Sequence, residues 1–432
     1  MHILNGEGIM STTTSHTRVF GINGALTSRH FVLCAALLGL TVRMLLAVAA
    51  RHNTVFPDEL DYENLGTALW KIHQFALSGS YTAFRAPAEP FLICVVYEMF
   101  GRHPVIVKLI TSLLLITLPF LCARLAILAG MDLRAAGLAA LLGSLDPGLN
   151  YASTTLYPTA LAAIAITAGI FYCARAFLHD DMSSAAIGGL SLAIAASAQT
   201  TFAPLPIIIA VISVWRGKLR IGLIIATIGM LFTVAWIGRN RLVMHTWALA
   251  TNGGINLRLG ANDAATPRSG NLITVPDISA KGEVEIDAGQ RQEATKWIAK
   301  HPARYSELFL SRGLLVADSV GRPATRGMHD GIAAKLVGWT MLPIVLLGLA
   351  GLFVHRRWPG AWFTAAALSM VIITSALMMV KPRFRFPVDP VLGVFAAAMI
   401  VRLAGRSDGR GGCVDPCLAS AALPRQRSLL NI

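Results

Sequence analysis

Long apolar runs separated by short connections rich in cations set the pattern of this chain. Ten runs read as membrane-spanning helices: 30–50, 104–126, 134–150, 157–177, 184–200, 202–215, 219–238, 335–355, 359–380 and 386–404. A span needs about 20 apolar residues, so 134–150 and 202–215 are the weakest of the set. The segment from Pro87 to Gly101 is apolar too, but it is short, has two prolines and contains Glu89 and Glu98. It is expected to lie along the membrane interface as an amphipathic helix. Leaving it out of the spans puts Arg124, Arg134, WRGKLR (215–220), HRRW (355–358), Arg402, Arg406 and Arg410 on one side. The positive-inside rule makes that side cytoplasmic, together with both termini. The opposite side receives 51–103, LDPGLNY, QTTFAP, 239–334 and KPRFRF, where the unusual polar residues gather. Five connections far apart in sequence are thus expected to meet at one face of a helical bundle. The expected fold is an all-α polytopic membrane protein of about ten transmembrane helices, with interfacial helices in the first periplasmic loop.

Composition strengthens this reading. Of 432 residues, 55% are hydrophobic and 14% charged, against about 25% charged in soluble domains. The first run is too long for a signal-peptide core. Residues 1–29, polar and rich in Ser and Thr, are expected to form a disordered cytoplasmic N-terminus, 30–404 the membrane domain, and 405–432 a cytoplasmic tail. Within the domain, 51–103 and 239–334 are the two large periplasmic loops. A formal charge of +14 raises nucleic acid as a partner. The cations lie between apolar runs rather than on one face, so nucleic-acid binding is not expected. Four of the six cysteines sit in apolar runs, and Cys413 and Cys417 form a CVDPC that lacks a second ligand pair.

Three stretches carry candidate chemistry. FPDELDYENLGTALW (56–70) gathers Asp58, Glu59, Asp61 and Glu63 in a chain with only 23 acids. Pro57 suits the first turn of a helix, and Asp58 and Glu59 then sit at its positive end. Such acids serve as helix caps, as a general base, or as ligands of a divalent cation beside a phosphate. The residues leave these roles open. KPRFRFPVDP (381–390) alternates Lys381, Arg383 and Arg385 with aromatics, on the side where cations should be scarce. Guanidinium forks suit phosphate oxygens, whereas a lone interfacial cation more often snorkels. WIGRNRLVMHTWALATNGGINLRLGAND (236–263) offers Arg239 and a Gly- and Asn-rich backbone able to turn sharply and donate amides. Asp146 is an acid at a span end, a functional candidate that serves equally as a cap for the helix restarting at Pro147. Arg43, inside the first span, is expected to snorkel or pair.

Together these motifs resemble the GT-C superfamily of integral-membrane glycosyltransferases, specifically bacterial relatives of the protein mannosyltransferase and aminoarabinose transferase group. FPDELDY resembles the acidic motif after the first span. FRAPAEPFLICVVYEMFG resembles the interfacial helix, WIGRN with TNGGINLRLGAN the Trp-Arg-Asn and Asn-Gly run, and RFRFPVDP the closing motif. The resemblance covers about 30–404. It implies an inner-membrane enzyme that takes a sugar from a polyprenyl-phosphate lipid at the periplasmic face. The sugar passes, with inversion, to a lipid, glycan or protein acceptor. It further implies Asp58 as general base and Glu59 as support for it or for a metal. Arg383, Arg385, Arg239 and Lys381 would hold the donor phosphate. Tyr62, Arg85, Glu89, Asp146, Asn240, Asn252, Gly253 and Gly254 would line the substrates. The chain departs from the pattern at three places. Tyr157 and Pro158 stand where an acid is common, which leaves a divalent cation, Mg or Mn, open. Glu89 stands where Gly is common and Gln199 where Arg is common. A lipid-linked sugar transporter or flippase and a non-catalytic protein of the same fold are the alternatives.

Overall fold

The computed structural model describes residues 29–51, 57–268, 282–318 and 332–407. The N-terminal segment before Arg29, the CVDPC pair and the tail beyond 407 lie outside the described residues. In chain order the helices are α1 (Arg29–Ala49), α2 (Pro57–Ile72), α3 (Ala88–Phe100), α4 (Pro104–Leu114), α5 (Thr117–Leu128), α6 (Leu133–Ser144) and α7 (Pro147–Ala152). They continue as α8 (Thr159–His179), α9 (Met182–Ala198), α10 (Leu205–Trp215), α11 (Leu219–Met244), α12 (Gly253–Gly260), α13 (Glu283–Lys300) and α14 (Pro302–Leu315). The last three are α15 (Ile332–Val354), α16 (Pro359–Leu377) and α17 (Asp389–Ser407). A two-stranded hairpin, β1 (Ala76–Leu77) and β2 (Ser80–Tyr81), follows α2. Its turn is Ser78-Gly79 with φ of +50° and +81°, the left-handed pair that matches the twist of a tight hairpin.

The chain is an all-α integral membrane protein. Among the described residues six helical segments are long and apolar enough to cross a membrane: 29–49, 104–128, 159–179, 219–244, 337–354 and 359–377. Ten spans were expected, and the difference has local causes. The run 134–150 divides into α6 and α7, because Pro147 and the Asp146 side chain, which accepts the Leu149 N–H at 2.9 Å, start a new helix. Met182–Ala198 and Thr200–Trp215 are apolar but shorter. The last run begins with Asp389 and ends among cations. The 104–128 segment is itself interrupted at Leu115–Ile116, where Pro119 has no N–H to return to the Leu115 carbonyl.

Small residues set the packing, as expected where helices gain little from burial in lipid. A Cβ on Gly348 or Gly351 of α15 would collide with the Leu392 and Phe395 carbonyls of α17. Arg43, fully buried in α1, pairs rather than snorkels: it donates to the Gly143 and Ser144 carbonyls at the end of α6, and the Ser144 hydroxyl returns a bond to the Ala35 carbonyl. Pro57–Ile72 and Ala88–Phe100 pack as a pair. Gly66 lets them approach so closely that a Cβ there would meet Ile93 and the Pro90 carbonyl.

Candidate active site

Helix α2 starts on Pro57 and carries Asp58 and Glu59 in its first turn. The two oxygens of Asp58 meet two different guanidiniums. Oδ1 accepts from Arg85 Nη2 at 2.6 Å and Oδ2 from Arg383 Nη2 at 2.6 Å. Arg85 also donates to Asp61 Oδ2 through Nε at 3.1 Å and Nη2 at 2.7 Å. Asp61 lies one turn after Asp58, so one helical face supplies both carboxylates. Arg383 comes from the 3₁₀ turn Pro382–Phe384, more than 300 residues away (|i−j| = 325). Its guanidinium lies 4.7 Å from the centroid of the Tyr157 ring, and that of Arg85 lies 5.7 Å from the Tyr62 ring. The two tyrosines meet edge to face at 6.1 Å. Asp58 therefore sits in a cage of two arginines backed by two phenol rings.

The electrostatics follow from this cage. Burial pushes the Asp58 carboxyl up, but Arg85 and Arg383 outweigh it and hold the group below the usual carboxylate range. Burial opposes the charge on each guanidinium as well. Neighbouring Tyr62, Asp58 and Asp61 more than restore Arg85, and Asp58 and Tyr157 do the same for Arg383. Burial pushes the Tyr62 phenol up to about 12, so it stays a neutral donor. At neutral pH the site is an ionised carboxylate clamped by two cations.

A second layer fixes the backbone that carries Arg85. Glu283, in the first turn of α13, accepts from the Thr82 hydroxyl at 2.6 Å and the Ala83 N–H at 3.0 Å, and also from the Thr251 hydroxyl. Asn252 Nδ2 donates to the Phe84 carbonyl at 2.7 Å. Arg239 donates to the carbonyls of Thr82 at 2.7 Å and Phe75 at 3.0 Å, with its guanidinium 5.1 Å from the Trp236 ring. Gly254 N–H donates to Asp287 Oδ1 at 2.5 Å, and Arg291 neutralises Asp287 at 2.6 Å. The connections 51–103, 239–334 and KPRFRF do meet, joined by Tyr157 at the start of the expected 157–177 span.

The structure divides the expected site residues. Asp58, Tyr62, Arg85 and Arg383 come together, and Glu59 is buried on the same first turn. Arg239, Asn252 and Gly254 act one layer back, as braces of the 75–85 segment and of α12, and Gly253 lies near Arg291 at the start of α12. Asn240 is buried and donates to the Ala248 carbonyl at 2.9 Å. Arg385 points elsewhere. It is buried, donates to Asp389 at 2.6 Å and to the Val316 and Ala317 carbonyls at 2.6 and 3.1 Å. It pins the turn that presents Arg383 and does not share its anion. The alternation of cations in KPRFRF explains this, since a tight turn sends Arg383 and Arg385 to different sides. Asp146 is the cap of α7, and Lys381 is half-buried just before the turn. Asp61 and Tyr157 were named in the sequence without a site role, and Glu283 and Asp287 were not singled out. Asp61 had a legible signal, three residues after Asp58. Glu283 had none, since no motif surrounds it in the 239–334 loop.

A divalent cation fits these residues poorly. Among the described residues no three His, Cys, Asp or Glu side chains cluster as ligands. Each oxygen of Asp58 already faces a guanidinium, so a cation there would have to displace an arginine.

No family model matches the chain, and no curated relative does. Solved structures do. The chain is 14% identical to the Archaeoglobus fulgidus oligosaccharyltransferase complexed with Zn and sulfate, at a TM-score of 0.51 over 93% of this chain and 52% of that one. The oligosaccharyltransferase AglB from Archaeoglobus fulgidus, in complex with an inhibitory peptide and a dolichol-phosphate, matches at 14% identity and TM-score 0.47, over 91% and 54% of the two chains. ArnT from Cupriavidus metallidurans bound to undecaprenyl phosphate matches at 13% and 0.42, over 88% and 79%. The chain thus spans about half the length of the oligosaccharyltransferase. In its fold the chain is similar to that part of the archaeal oligosaccharyltransferase.

Proposed function

We propose that this protein is a membrane glycosyltransferase. It moves a sugar from a polyprenyl-phosphate donor to a lipid, glycan or protein acceptor, with inversion, at the periplasmic face of the inner membrane. The observation that carries the reading is Asp58 held between Arg85 and Arg383. One potential base and two phosphate-binding forks from distant segments converge at a helix start. Cleavage at the anomeric carbon leaves negative charge on the departing phosphate, and guanidiniums stabilise it. The acceptor O–H must lose its proton as it attacks, and an ionised carboxylate takes it. The tyrosine rings offer flat faces beside the cations, suited to a sugar. That fold neighbours are held with dolichol-phosphate and undecaprenyl phosphate supports the class of donor.

In the resting arrangement both oxygens of Asp58 are occupied, so the base is not free. A donor phosphate offers the two arginines a second anion. Its arrival would draw Arg383 from Asp58 and release an oxygen toward the acceptor. The chemistry is tested by consumption of radiolabelled polyprenyl-phosphate sugars by the purified protein. Wild type should consume a donor, and Asp58→Asn should be slower by about 10²–10⁴-fold, the usual contribution of a positioned base. An Asp58→Asn protein as active as wild type would remove Asp58 from the reaction.

A further inference from the structure

Glu89 is a residue of this region that the chemistry above leaves without a task. It lies in the first turn of α3, and its side chain is fully buried. Neither carboxyl oxygen has a hydrogen-bond partner among the described residues. Glu89, Ile93, Val96 and Tyr97 lie on the buried face of α3, which packs on α2 where Tyr62 and Gly66 face it. The carboxyl is close enough to Tyr62 to help raise that phenol, and Tyr62 in turn lies beneath the Arg85 guanidinium. The two arginines of the site are drawn to Asp58 and Asp61. A second orphaned polar atom, the Tyr151 hydroxyl, is buried within electrostatic reach of Arg383 and Asp58.

A buried carboxyl with no partner is costly. A leucine would fill this helix interface without that cost. Burial lifts the group to about 8, so at neutral pH it is a neutral acid that can donate one hydrogen bond and accept others. Neither task is met among the described residues.

We propose that Glu89 is a specificity-determining residue: its carboxyl hydrogen-bonds a hydroxyl of the donor sugar, seated over Tyr62 once Arg85 and Arg383 have turned from Asp58 to the lipid phosphate. The proposal rests on the glycosyltransferase reading and names the part of the donor that α3 reads. A site that hydrogen-bonds a substrate hydroxyl discriminates strongly against a ligand lacking it, because its own polar group is then left unpaired.

The test is binding by the full chain in nanodiscs. The probes are undecaprenyl phosphate, the same lipid carrying glucose or mannose, and the lipid carrying 4-amino-4-deoxyarabinose. Wild type should bind one sugar-bearing lipid about tenfold more tightly than the bare lipid, the size of one well-made polar contact. Glu89→Leu should remove that preference and leave affinity for bare undecaprenyl phosphate within twofold. Glu89→Gln, which keeps a donor and an acceptor, should retain most of it. If Glu89→Leu is poorly folded, Glu89→Asp, one methylene shorter, should weaken the preference in a folded protein. An unchanged preference in Glu89→Leu overturns the proposal. Equal loss of affinity for sugar-bearing and bare lipid also overturns it, since the role is then structural. A preference confined to the amino sugar and lost in Glu89→Gln replaces the hydroxyl contact with an ion pair and overturns it too. A wild type that binds none of these lipids removes the glycosyltransferase reading itself, and this inference falls with it.

Discussion

At the scale of single residues, the site is a contest between burial and charge. Asp58 stays ionised because Arg85 and Arg383 outweigh its burial. Removing Arg85 leaves the burial less opposed, so the Asp58 carboxyl must rise. In Arg85→Gln the acid limb of kcat/KM is therefore expected to move to higher pH, beyond any loss of rate from weaker phosphate binding. A pH–rate profile with the limb unmoved would mean that Asp58 is not the titrating base. Glu89 runs the other way. Its carboxyl ionises near 4.5 in an unfolded chain and at about 8 when buried here. As pH rises from 4.5 the unfolded state releases this proton first. The stability Glu89 allows is thus full below 4.5, falls between 4.5 and 8, and is level above. Glu89→Gln removes the dependence. Its Tm is expected to match that of wild type near pH 4.5 and to exceed it by a margin that grows up to pH 8. Equal Tm curves across that range would show that Glu89 does not remain a buried neutral acid. Asp58 and its helix start were legible from Pro-Asp-Glu alone. The orphaned state of Glu89 was not, because burial without a partner is a tertiary fact.

At the scale of elements, the segment 75–85 is held from outside rather than by its own strands. A hairpin of two residues per strand is not stable by itself. Arg239 on α11, Asn252 before α12 and Glu283 on α13 supply its order through the Phe75, Thr82, Ala83 and Phe84 backbone. Asn252→Ala removes one bond to the Phe84 carbonyl, next to Arg85. It is expected to cost about 1 kcal/mol or less of stability but to lower kcat about tenfold, since small misplacement of a binding group is expensive in rate. An Asn252→Ala protein with wild-type kcat would show that Arg85 is positioned without this brace. Gly254 is a stricter element-level point. A Cβ there would collide with the Asp287 carbonyl, so α12 and α13 meet only because the residue is glycine. Gly254→Val is expected to lower Tm, by about 1–3 kcal/mol of overpacking, and a Tm equal to wild type would mean that the two helices part without cost. The Asn-Gly run announced a special backbone but not what it approached. Its partner α13 starts at Glu283, just after residues that carry no helical signal, so the contact was not legible.

At the scale of the whole molecule, hydrophobic pattern was enough for the all-α fold; of the five connections expected to converge, three meet around Asp58, and six of the expected runs are long and apolar enough among the described residues to be candidate spans. Length separated clear spans such as α8 and α11 from broken ones such as α6 and α7, and the break depends on a proline and a cap that composition does not weigh. Likewise KPRFRF announced anion binding, but only the turn at Pro382–Phe384 decides that Arg383 faces Asp58 while Arg385 faces Asp389. That division gives the last expectation. Arg383 links the last third of the chain to α2 through Asp58. If the resting contact is a stand-in for the donor phosphate, Asp58 competes with the lipid for the two guanidiniums. Asp58→Asn deletes the competing charge and leaves both arginines in place. The variant is then expected to bind undecaprenyl phosphate several-fold more tightly than wild type while losing transfer. Raised ionic strength should narrow the difference, since partly exposed charges are screened. Binding by lipid titration of the nanodisc-embedded protein decides it. Weaker binding in Asp58→Asn would mean that Asp58 holds the arginines in position for the phosphate instead of keeping them from it, and the first step of donor capture would then be addition to the clamp rather than exchange within it.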